Sequence, residues 1–276
     1  MQPTRFLLLH TRPADADASQ RDASRHAVQA FRKEMADAGV LRELVVVDTE
    51  AEGARVVFQG GRVAAVELGP FEETRVLTAF CTIETASRAE ALGWLSRWPT
   101  PGEGEECVEL RDSGCPGGVM AIMAAPVMDG QGPALRRYAV LLRQNAELDA
   151  EILAPPSRLD AMTRRNVEGT ARGVLVAGEG LKGGARATRR HSRRGASHLV
   201  DGPFTEIKEM VAGYWIVQVP ALEDAIAWVR AYPYPFDDVV VDVRLVDDRA
   251  LGDGRAASAG GGAMRDEDAT PALPVH

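Results

Sequence analysis

The turn Asp201-Gly-Pro-Phe places a carboxylate at the end of an apolar strand, with more charged groups close behind it. A carboxylate in that position can act as a general base or anchor a polar ligand, because a neighbouring pocket would desolvate it and raise its pKa. The same Asp-Gly-Pro run equally suits an aspartate that caps its own turn, and the residues alone leave both readings open. Glu206 and Lys208 follow at alternate positions, which on a strand puts them on one face. His191 and His198 flank the preceding hairpin, and Arg186, Arg189, Arg190, Arg193 and Arg194 crowd into it. Guanidinium groups at that density can hold a phosphate or an acidic partner, or simply charge an edge hairpin against aggregation. His198 precedes Asp201 by three residues, so on a strand the two side chains face opposite ways and form no dyad. With no further ligands at zinc spacing, the histidines do not make a metal site. The expected site is therefore Asp201 as the catalytic group, with Lys208, Glu206, Arg189, Arg193, His191 and His198 as binding residues and neither metal nor cofactor.

Composition narrows the classes of function. A formal net charge of −8 argues against a dedicated nucleic-acid binder, which needs a basic face to neutralise phosphates. Cys81, Cys107 and Cys115 are too few and too unevenly spaced for a disulfide scaffold or a four-thiolate zinc site, which fits a reducing cytoplasm. The apolar runs Phe6 to Leu9 and Val119 to Met128, the latter broken by Pro126, fall short of a signal-peptide core and a membrane span. A soluble, cytoplasmic protein is expected.

The elements that must position these residues recur in two copies. Gly69-Pro-Phe-Glu-Glu-Thr returns as Gly202-Pro-Phe-Thr-Glu-Ile, and Ala91-Leu-Gly-Trp-Leu-Ser-Arg-Trp-Pro99 lines up with Ala225-Ile-Ala-Trp-Val-Arg-Ala-Tyr-Pro233. Each copy reads as a short apolar strand, a helix, a β hairpin, a strand, a second helix and a last strand. Val28, Phe31 and Met35 mark the first helix of copy one, and Leu159, Met162 and Val167 that of copy two. Ser157 with Asp160, and Ser87 with Glu90, read as capping boxes. This order predicts an α+β unit with helices on one face of an antiparallel sheet. Two such units would cover each other's open sheet faces as an intramolecular pseudo-dimer. Matched Trp94 and Trp228, and Phe71 and Phe204, read as core packing, and Cys81 as a buried small hydrophobe. The expected boundaries are 1-112 for the first domain, 113-133 for a linker rich in Gly, Pro and Met, 134-247 for the second domain and 248-276 for a disordered tail.

Val174-Leu-Val-Ala-Gly-Glu-Gly-Leu181, Val200-Asp-Gly-Pro-Phe-Thr-Glu-Ile-Lys-Glu209 and Gly213-Tyr-Trp-Ile-Val together resemble the DGPF subgroup of the YCII-related family. Copy one resembles the same family in degenerate form. The resemblance implies two ferredoxin-like domains in tandem, paired as in a dimeric α+β barrel. It also implies a family whose biochemistry is largely unassigned, some relatives being lyase-type or dehalogenating enzymes and many DGPF members being encoded beside extracytoplasmic-function sigma factors. The wider family carries a His on its first helix and an Asp-Pro after its second; here His26 and Asp160 lie near the former, and Trp98-Pro99 and Tyr232-Pro233 replace the latter. The Asp201 position reads Leu68 in copy one, so a site is expected in copy two alone. The functional expectation is a small-molecule binding or regulatory protein, as monomeric pseudo-dimer or homodimer, whose ligand could be a small anion. The rivals are a metal-independent lyase or hydrolase with Asp201 as general base, and a docking partner of a sigma factor or other regulator through the arginine hairpin.

Overall fold

The computed structural model describes residues 3–71, 73–101, 103–123, 134–205 and 210–251. The first half supplies β1 (Thr4–Pro13), α1 (Ala18–Asp37), β2 (Leu41–Val46), the hairpin β3 (Ala54–Gln59) and β4 (Arg62–Leu68), β5 (Arg75–Thr85), α2 (Arg88–Arg97) and β6 (Glu106–Asp112). After the short β7 (Ile122–Met123), the second half supplies β8 (Arg136–Arg143), α3 (Ala146–Asp149), α4 (Pro156–Ala171) and β9 (Leu175–Gly180). It continues with the hairpin β10 (Thr188–Arg193) and β11 (Ala196–Asp201), then β12 (Val211–Val219), α5 (Leu222–Arg230) and β13 (Val239–Leu245).

The strands build two antiparallel sheets in a mixed α+β fold. One has the order β11-β10-β6-β1-β5-β2 and the other β4-β3-β13-β8-β12-β9-β7. Each sheet thus holds the four long strands of one half and borrows its outer hairpin from the other: β10 pairs with β6, and β3 pairs with β13. Pleating gives every strand two faces. Val108 and Leu110 of β6 turn to α1 and α2, joining Val28, Phe31, Met35, Trp94 and Leu95 in one core. Val239, Val241 and Val243 of β13 turn to α4 and α5, joining Met162 and Trp228. The opposite faces meet each other through Leu7, Leu9, Phe80, Leu141, Tyr214 and Ile216. Single bridges, Val47 with Val246 and Ser113 with Leu181, tie the sheets together at their margins.

Local signals explain the helices, with two departures from expectation. Ser87 accepts the amide of Glu90 at the start of α2, as the sequence predicts, and α1 begins with a full capping box of Asp17 and Gln20. The box expected at Ser157 and Asp160 is absent; α4 starts on Pro155 and Pro156, whose fixed φ suits a first turn without a side-chain cap. Val167, expected on the buried face of α4, is 65% exposed, and Met162, Asn166 and Gly169 do the packing. Within the expected linker, Ile122–Met123 pairs with β9 as an edge strand. The expected tail begins with structure: Asp248–Leu251 form a 3-10 turn, Ala250 is buried against α1, and Gln29 donates to its carbonyl. Residues 252–276 lie outside the described residues.

Candidate functional site

The described residues of the expected site share the β10–β11 hairpin but turn to separate partners. Asp201, at the end of β11, is exposed and accepts the hydroxyl of Thr188 at 2.7 Å, across the hairpin from its registered partner. His191 and His198 are partners in the same ladder, their rings stacked with centroids 5.4 Å apart, and His191 reaches Glu105 at 3.2 Å. Arg189 turns away from Asp201, toward Glu109 at 2.7 Å and the ring of Phe204 at 3.9 Å. Arg193 is exposed at the hairpin's far end. Glu206 and Lys208 lie outside the described residues. His26 and Asp160 are exposed on their helices, and among the described residues no cluster of His, Cys, Asp or Glu could hold a metal ion.

Phe71 and Phe204, expected in the core, close two charged corners at the borrowed hairpins. In one corner Asp242, wholly buried, is bonded by Arg55 Nε and Arg143 Nε, each at 2.7 Å, with Arg244 at 3.4 Å. Glu73 binds the same three guanidiniums, and Phe71 stacks on Arg55 and Arg244 at 4.7 and 4.3 Å. Burial alone would raise the Asp242 pKa, but the Arg55 hydrogen bond and the charges of Arg143, Arg244 and Arg55 outweigh it and hold it below the usual range. At the other corner Glu109 meets Arg111 at 3.1 Å and Arg189 at 2.7 Å beneath Phe204. The Gly-Pro-Phe turns therefore fasten each hairpin to the neighbouring half. A side chain at Gly202 would put its Cβ 2.4 Å from the Gly184 carbonyl, which explains the glycine.

A cavity of about 70 Å³ opens elsewhere in the second half, between α4, the end of β9 and the segment from Cys115 to Ile122. Its walls are Trp215, Met162, Leu159, Val119, Ile122 and Phe236, and its polar groups include Asn166 and Glu151. Tyr232 donates its hydroxyl to Asn166 Oδ1 at 2.9 Å, which fixes the amide on the wall; burial pushes the phenol pKa up and keeps it a neutral donor. The Gly-Glu-Gly-Leu segment has a physical purpose here. The Cβ of any side chain at Gly180 would fall 2.8–3.1 Å from Cys115, so glycine is what lets the segment after β6 close over the sheet. Ligand sites are usually concave, apolar and furnished with a few fixed polar groups, and this cavity has that make-up.

Glu179, between those glycines, borders the cavity and accepts Arg5 Nη1 at 2.9 Å. Burial raises its pKa despite the opposing pull of Arg5. Arg5 also binds Glu84, while Glu43 takes the Tyr214 hydroxyl at 2.9 Å and has its pKa raised by burial. His10, wholly buried, sits between Glu106 at 3.0 Å and Thr78 at 2.8 Å. Sequence reasoning assigned none of these groups a site role, though Glu179 and Tyr214 lie in the quoted motifs. Glu43 and Glu179 each sit in a β run otherwise rich in apolar residues, and such interruptions were the available signal.

Residues 138–248 match the YCII-related domain family. No curated protein matches the chain. Among solved structures it is similar to a heme-binding protein from Thermus thermophilus, at 10% identity over 91% of this chain and 94% of that one, with a TM-score of 0.35. It is also similar to a mutant chlorite dismutase from Candidatus Nitrospira defluvii, at 8% identity over 91% and 94% of the two chains, with a TM-score of 0.38. At that distance no chemistry transfers from either.

Proposed function

We propose that the chain is a small-molecule binding or regulatory protein whose second half takes a compact, largely apolar molecule. The observation that carries this reading is the cavity beside α4, with Trp215 and Met162 as walls and the Asn166–Tyr232 pair as its polar fixture. At about 70 Å³ it is roughly half the engineered 150 Å³ cavity that accommodates benzene, so the ligand is a short branched or cyclic molecule, or the apolar end of a longer one. On this reading the protein is of the DGPF type, a tandem duplication of a ferredoxin-like unit folded back on itself in the manner of a dimeric α+β barrel. The common strand order β6-β1-β5-β2 and β13-β8-β12-β9 and the reciprocal loan of hairpins support the duplication. Buried, unpaired Cys81 and Cys107 are in keeping with a cytoplasmic setting. Cyclopentanol is a suitable probe, carrying one hydroxyl on an apolar ring. It should shift the fluorescence of Trp215 and raise the melting temperature, and Met162→Trp, which fills the cavity, should abolish both. No response in the unmodified protein, or an unchanged response in Met162→Trp, would exclude the cavity as the site.

A further inference from the structure

The corresponding corner of the first half holds a buried cation, Arg12, with no ion-pair partner among the described residues. A cavity of about 30 Å³ lies between α1, the end of β1 and the loop after β2, bordered by Arg12, Arg21, Ser24, Arg25, Thr49 and Thr78. Arg12 lines it and is only 7% exposed. Its Nη2 donates to Thr49 Oγ1 at 3.2 Å, while its Nε is buried without a partner. Among the described residues no carboxylate lies within ion-pair distance of Arg12. The other charges are spoken for. At the mouth, Arg21 pairs with Glu50 at 2.6 Å and Arg25 with Asp247 at 3.0 Å, and Asp48 Oδ1 accepts the amides of Glu50 and Ala51 at 3.0 Å. Burial and the nearby Arg21 and Arg25 lower the Arg12 pKa against the opposing pull of Glu106 and Glu50. A buried charge without a close partner is costly, and an anion in the cavity would offset that cost.

We propose that this corner binds the carboxylate of a small organic acid, with Arg12 as the anchoring residue. A guanidinium presents parallel N–H groups whose spacing matches the two oxygens of a carboxylate, and Arg12 lines the cavity. At roughly 10–15 Å³ for each water-sized group, the cavity has room for two, the number of carboxylate oxygens. The rest of the acid extends past Arg21 and Arg25 into solvent. A single unmatched positive charge favours this monoanionic group over a phosphate dianion. The site is separate from the apolar cavity and does not depend on it.

Acetate is the probe, titrated into the full chain against chloride at equal ionic strength. Acetate should raise the melting temperature with saturation in the millimolar range and should move the NMR resonance of the Arg12 Nε–H. Arg12→Gln should weaken acetate binding at least tenfold while leaving the cyclopentanol response intact. Should that variant fail to fold, Ser24→Val, which fills the void and keeps Arg12, is expected to abolish the acetate response. The proposal is overturned if acetate does no more than chloride, as a cavity holding only water would behave. It is equally overturned if the response survives in the folded variants, or if phosphate protects and acetate does not.

Discussion

The two halves share a strand order but fill the same corner, between the first helix and the ends of the second and third long strands, with opposite chemistry. In the second half Met162, Trp215 and the close-packed Gly178 and Gly180 leave an apolar hollow, roofed by the segment that follows β6. In the first half Arg12, Arg21 and Arg25 line the corner. One fold can thus carry two unlike pockets, because the sheet and helix fix where a hollow forms while a few side chains decide what it accepts. The charged corners under Phe71 and Phe204 differ less, each being a carboxylate among arginines beneath a ring. Those corners attach the hairpins, whereas the hollows are where the halves have diverged.

The sharpest way to break this comparison is at the charged corners. Asp242→Ala would leave three guanidiniums facing a lost carboxylate and should cost about 3–5 kcal/mol in urea unfolding. Glu109→Ala, facing Arg111 and Arg189, should cost less, about 1–3 kcal/mol. Equal losses would mean that the corners are energetically alike. Because the folded pKa of Asp242 is depressed, its stabilisation is fully present above the unfolded value of about 3.9 and is lost as pH falls through the folded value. An acid titration of stability should therefore be shallower in Asp242→Ala than in the unmodified chain. At the apolar hollow, Met162→Ala should cost about 2–4 kcal/mol and admit larger ring alcohols than cyclopentanol; a cost below about 1 kcal/mol would mean the hollow collapses.

Glu43 provides an opposite pH signature. Its folded pKa is raised by burial, so the penalty for its charge is present at neutral pH and disappears as pH falls through the folded value toward the unfolded one, about 4.3. Glu43→Gln, which keeps an acceptor for Tyr214, should be at least as stable as the unmodified chain at pH 7 and lose that advantage near pH 4. The smallest expected effect is at Asp201→Asn. An exposed side chain with one hydrogen bond to Thr188 should cost no more than about 1 kcal/mol, and cyclopentanol binding should be unchanged. Loss of binding in that variant would move the site back to the Asp-Gly-Pro turn.

Periodicity and repeats carried much of the fold: β1, β5, β6 and their counterparts, the capped α2 and the buried positions of Trp94 and Trp228 follow from local pattern, whereas β2 and β9, which add a fourth long strand to each half, were not read from it. The exchange of hairpins did not, because nothing local to Arg55 or Arg189 says which strand edge it will meet. The charged corners were hidden for the same reason, since Asp242 lies far in sequence from Arg55 and Arg143, and Glu73 from Arg143. Attention in sequence went to Asp201 and the arginine hairpin, where charge is dense; in the fold that density is partly neutralised by Glu109 and Asp112. Arg12 drew none, because its character comes from being buried beside other cations, which only the packing of α1 on the sheet creates.

The lent hairpins also set a schedule for biosynthesis. Val56 of β3 pairs with Val241 of β13, a separation of 241 − 56 = 185 residues, so the hairpin leaves the ribosome long before its place in the sheet exists. At about 5–20 residues per second that wait is roughly 9–37 s. Throughout it, β4 carries Val66 and Leu68 on a strand whose partner sheet is incomplete, so the nascent first half is a natural client for a chaperone. Cutting the chain between β7 and β8 should yield two fragments that each lack an edge hairpin and recover their sheets only by finding one another.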